Sequence, residues 1–71
     1  MISREDAVGI ARARVEADGV MALESRDTVV GDEEGYWHVS FPLRDLNVRG
    51  GEPHVRVRKA DGAVTLVTYS Q

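Results

Sequence analysis

Apolar residues fall at Ala7, Ile10, Ala11 and Val15, with Val8 beside them, while Arg4, Glu5, Arg12 and Glu16 fill positions between. Apolar recurrence at steps of three and four marks one face of a helix. Ser3-Arg4-Glu5-Asp6 is a start signal: the Ser3 hydroxyl can accept the free backbone N–H of Asp6, and Glu5 and Asp6 sit at the positive end of the dipole. Asp18-Gly19 is the stop, because glycine takes the left-handed conformation that closes a helix and lets Val20 pack back on the last turn. The pattern predicts a helix over residues 3–18. Gly9 in its middle costs about 1 kcal/mol relative to alanine, and close approach to an underlying sheet is its expected reason.

Beyond Gly19 the period shortens. Val20 to Leu23 is apolar and Ser25 to Val30 alternates weakly, which predicts a first strand within 22–31; Gly31-Asp32-Glu33-Glu34-Gly35 reads as a turn. Tyr36 to Leu43 alternates cleanly, with Trp37, Val39, Phe41 and Leu43 on one side and Tyr36, His38, Ser40 and Pro42 on the other. Pro42 has no N–H to give, so the strand ends there or lies at an edge. Residues 44–53 form a long loop. His54 to Lys59 sets Val55 and Val57 against His54, Arg56 and Arg58; Asp61-Gly62 then signals a tight hairpin into Val64 to Tyr69. In that last strand Val64, Leu66 and Thr68 oppose Thr65, Val67 and Tyr69.

One helix followed by short strands implies an α+β domain, an N-terminal helix packed on a three- to four-stranded antiparallel sheet. Trp37, Val39, Phe41, Val55, Val57, Val64 and Leu66 are its expected sheet core, meeting Val8, Ile10, Ala11 and Val15. The other face is left open, bearing Tyr36, His38, Arg56, Arg58, Val67 and Tyr69.

A chain of 71 residues holds a single domain, 1–71, which buries only about 60% of its unfolded surface and has little room for a deep water-free cavity. With no cysteine, disulfides, thiolate nucleophiles and cysteine-based metal or iron–sulfur centres are excluded. No stretch approaches the roughly 18 apolar residues of a membrane span, and acids occupy the N-terminus where an export signal needs bases, so the expectation is a cytoplasmic protein with no membrane partner. The net charge is −3, divided unevenly: residues 1–35 carry four basic and nine acidic groups, residues 36–71 five basic and three acidic.

His38 and His54 fall on the outer face of strands that can neighbour one another. Two histidines fall short of the three or four ligands a metal centre uses, so neither a metal nor another cofactor is expected. Ser40 beside His38 lacks an orienting third group and an oxyanion site, so no catalytic residues are assigned and the chain reads as a non-enzyme. Arg49, Arg56, Arg58 and Lys59 suggest a basic strip for nucleic acid, against which stand the acidic balance and a pI of about 5.2. Gly50-Gly51 has no lysine or helix start after it, so it is not a phosphate loop. Protein binding, including self-association as a homodimer, fits the open face best, with Tyr36, His38, Arg49, His54, Arg56, Arg58 and Tyr69 as candidate contacts.

Ala7-x-x-Ile10-Ala11 on the helix, Tyr36-Trp37-His38-Val39 on a strand, and Gly51-Glu52-Pro53-His54-Val55 leading to Val57-x-x-x-Asp61-Gly62-x-Val64 resemble small bacterial PepSY-like domains. The C-terminal part, with Gly50-Gly51, a short strand and the Asp61-Gly62 hairpin, is similar to the small immunity proteins of bacterial toxin systems. The first resemblance implies an inhibitor or regulator of peptidases, typically extracytoplasmic or membrane-attached. The second implies a cytosolic, stoichiometric inhibitor that docks on a toxin and carries no catalytic residues.

Overall fold

Helix α1 spans Arg4–Asp18, and the backbone groups of its first turn are capped by local side chains. The Ser3 hydroxyl accepts the Asp6 N–H at 3.1 Å while the Asp6 carboxylate accepts the Ser3 N–H at 3.2 Å, a reciprocal capping box. At the far end Gly19 takes φ 67° and donates its N–H to the Glu16 carbonyl, as the Asp-Gly stop requires. The computed structural model describes residues 1–19, 23–24, 26–44 and 51–70. Val20, Arg49, Gly50 and the order of the 44–53 loop, all of which enter the sequence reading, lie wholly or largely outside these.

Four strands follow in a simple meander: β1 (Val29–Glu33), β2 (Tyr36–Ser40), β3 (Glu52–Arg58) and β4 (Val64–Ser70), all antiparallel neighbours in chain order. Together with α1 they make the α+β arrangement expected from the pattern. Ala7, Ala11 and Val15 of the helix and Leu23, Val39, Phe41, Val55 and Val57 form the buried core, with Ile2, Ile10, Val30, Trp37, Val64, Val67 and Tyr69 packed against it. Small residues at two of the three buried helix positions let α1 lie close over the valines of β2 and β3.

Three expectations are corrected. The first described strand is Val29–Glu33, which starts inside the expected 22–31 window and runs two residues past it, so Gly31, Asp32 and Glu33 belong to a strand and the turn shrinks to Glu34-Gly35. Cross-strand cations account for two acids persisting in a strand: Asp32 pairs with Lys59 and Glu33 with Arg56. Gly9 is exposed, with nothing within 4 Å of where its Cβ would stand, so it marks no close approach to the sheet. Gly9→Ala is therefore expected to raise stability by about 0.5–1 kcal/mol, read as a higher urea midpoint at unchanged slope.

The third correction changes the outer surface. Arg56 faces Leu66 while Val57 faces Val64, so β4 has one residue more than β3 at this point and Thr65 is bulged. An inserted residue reverses the parity of the strand on one side of it. Val64 remains inward, but Leu66 turns outward and is 47% exposed, and Val67 and Tyr69 turn inward onto the core.

Candidate functional site

Among the described residues, the helix covers one side of the sheet and nothing covers the other. On the other, cross-strand pairing builds three rows: Val29, Ser40, His54 and Thr68; Gly31, His38, Arg56 and Leu66; and Glu33, Tyr36 and Arg58. Of the candidate contacts, Tyr36, His38, His54, Arg56 and Arg58 thus share this face. Arg49 lies outside the described residues. Tyr69 does not join them: it packs on the helix side, where its hydroxyl donates to Asp18 at 3.0 Å. Burial and the Asp18 carboxylate both raise its pKa, so the hydroxyl stays protonated as that hydrogen bond requires.

The polar groups of the face are tied to one another. The Arg56 guanidinium lies 5.3 Å above the Tyr36 ring and reaches Glu33 at 3.3 Å. His38 Nε2 stands 3.0 Å from His54 Nδ1, His54 Nε2 meets Glu52 at 2.7 Å, and His38 Nδ1 is 4.0 Å from Glu33. Neither ring nitrogen of His38 is thus directed at Ser40, so the nucleophile-and-base arrangement weighed from the sequence is not assembled.

Arg58 grips Asp61 through two bonds, of 3.0 and 2.7 Å, at the edge of the face. The guanidinium, together with the Ala63 N–H that Asp61 also accepts, lowers the Asp61 pKa to about 2. Beside this pair a shallow cleft of about 490 Å³ is lined by Met1, Gly35, Tyr36, Lys59 and Ala60. It opens where β1 and β2 turn.

Glu33, Glu52 and Leu66 are among the outer-face residues that pattern reading missed. Glu33 was hidden by the overlong turn and Leu66 by the bulge, while Glu52 lay inside what read as loop. The signal for Glu33 was present in principle, because a two-residue turn ending at Gly35 sets it opposite Tyr36.

The fold and its site define a class: a one-layer antiparallel sheet with a helix on one face and a patterned opposite face that is open among the described residues. Comparison with protein-family models, with curated proteins and with solved structures finds no match to this chain. Among the described residues no helix is long and apolar enough to cross a membrane.

Proposed function

We propose that this chain is a small non-enzymatic protein-binding module, of the inhibitor or immunity type, that docks a protein partner on the uncovered face of its sheet. The observation that carries the reading is the row His38, Arg56, Leu66 with Tyr36 beside it. An exposed leucine, a tyrosine and an arginine stacked on it stand together, and aromatic and arginine side chains are the groups enriched where contacts bind most tightly. Ion pairs surround them, Glu33–Arg56 on one side and Arg58–Asp61 on the other, as a polar rim surrounds an apolar centre. The resemblance to immunity proteins in Gly50-Gly51, the short strand after it and the Asp61-Gly62 hairpin supports the same role.

Arg56, Arg58 and Lys59, the described cations that a nucleic-acid reading uses, each face a carboxylate: Glu33, Asp61 and Asp32. Pairing of this kind lowers the number of free charges that counterion release draws on, which favours the protein reading.

The test begins with recovery of a stoichiometric partner on the tagged chain. Leu66→Asp, alone and with Arg56→Glu, is then expected to weaken that partner's binding by roughly 30-fold or more, the effect of losing about 2 kcal/mol at a contact centre. Far-ultraviolet circular dichroism should not change, since Leu66 is outside the core. Unaltered affinity in the folded double variant excludes this face. Recovery that is abolished by nuclease and falls steeply with salt assigns the protein to nucleic acid instead.

A further inference from the structure

His38 on β2 and His54 on β3 are diagonal neighbours on the uncovered face, and their rings meet through Nε2 and Nδ1 at 3.0 Å with planes inclined at 59°. Each ring has a carboxylate behind it. Glu52 accepts from His54 Nε2 at 2.7 Å, which leaves Nδ1 as the nitrogen with the free lone pair. Glu33 stands 4.0 Å from His38 Nδ1, where it faces the proton that Nδ1 carries once Nε2 gives its lone pair to an ion. The two nitrogens that face each other are thus the two able to offer lone pairs to an ion that replaces the shared proton. A carboxylate holding the far nitrogen of an imidazole is the arrangement that orients histidine ligands and raises their basicity.

From this geometry we propose that His38 and His54 form a two-point site for a late first-row divalent ion, Cu2+ foremost and Ni2+ next. At about 2.05 Å per metal–nitrogen bond, two nitrogens 3.0 Å apart subtend about 94° at the metal, close to the right angle between adjacent positions of a tetragonal ion and below the tetrahedral angle preferred by Zn2+. In the metal-free protein one ring donates Nε2–H to the other's Nδ1. Binding moves the His38 proton from Nε2 to Nδ1, towards Glu33, and needs no net loss of a proton from the neutral pair. Both rings are partly solvent-accessible, so the ion enters from solution and water fills its other positions. Among the described residues no third histidine, cysteine or carboxylate joins the pair as a ligand, consistent with a two-point site and not a closed structural one. Arg56, the cross-strand neighbour of His38, is held by Glu33, so its charge is offset where the cation would sit. This inference stands apart from the protein-binding reading.

The test titrates the tag-free chain with CuCl2, and separately with NiCl2 and ZnCl2, above the ordinary imidazole pKa range. Calorimetry gives affinity and stoichiometry, and quenching of Trp37, next to His38 in β2, reports where the paramagnetic ion binds. The expected result is saturable Cu2+ binding, tighter than Zn2+, that weakens by more than about tenfold in His38→Ala or His54→Ala and by about 10- to 100-fold in Glu52→Gln. Isosteric His54→Gln, checked by circular dichroism, serves if an alanine variant unfolds. Absence of saturable binding, or binding kept in a folded variant lacking either imidazole, overturns the proposal and leaves the contact as a hydrogen bond alone.

Discussion

Phe41→Ala is expected to lower the unfolding free energy by about 3–5 kcal/mol, most or all of what a domain of this size has in reserve. Phe41 is fully buried and is the largest side chain so enclosed. Its backbone ties together the segments around it: the N–H donates to the Pro53 carbonyl at 3.2 Å, and the carbonyl accepts the buried Arg26 guanidinium at 2.9 Å. Arg12 of the helix lies 5.5 Å above the ring and also donates to Thr28 at 3.1 Å. Truncation removes the ring from between helix and sheet and leaves a cavity that rigid neighbours close only in part. It also withdraws the surface on which Arg12 rests. Because 1 kcal/mol moves the midpoint of a 60–100-residue domain by roughly 4–8 °C, thermal melting followed by circular dichroism resolves the effect easily. A variant melting within a few degrees of the parent would show that the ring does not fill this core.

Gly62→Ala is the second large effect, about 2–3 kcal/mol of destabilisation, and its cause has two parts. Gly62 sits at φ 77°, where a Cβ crowds the following carbonyl, and its N–H closes the β3–β4 turn on the Arg58 carbonyl at 2.8 Å. An added Cβ would also stand 3.0 Å from Ile10 Cδ1 and 3.4 Å from Ile2 Cγ2, so the turn is pressed against the start of the helix. Gly35→Ala separates the parts. Gly35 has φ 81° but nothing within 4 Å of its would-be Cβ, so its substitution carries only the backbone strain, about 1–2 kcal/mol. Urea denaturation of both variants should place Gly62→Ala clearly below Gly35→Ala. Equal losses would mean that Ile2 and Ile10 move aside freely.

These variants also separate what pattern reading reaches from what it does not. The helix and both of its ends were legible because Ser3, Asp6 and Gly19 act on backbone groups within four residues of themselves. The alternation of Trp37, Val39 and Phe41, and of Val55 and Val57, was legible because side chains in a strand change face at every step whatever lies opposite. For the candidate site the same rule placed Tyr36, His38, His54, Arg56 and Arg58 together on the open face.

Other features depend on partners far along the chain. Asp32 and Glu33 look like turn residues until Lys59 and Arg56 are set across from them, and Gly9 reads as a packing glycine until the helix is docked with that position outward. The exchange of Leu66 for Val67 and Tyr69 arises at one bulged residue, Thr65, whose position is settled by how β4 pairs with β3 and by which residues the core accepts. The contact of His38 with His54, and the carboxylates behind them, likewise follows from cross-strand register. By itself the sequence determined the elements, their caps and their alternating faces, because each rests on local backbone geometry; tertiary structure decided the register, the bulge and the polar cluster, because those arise only when strands far apart in the chain are brought side by side.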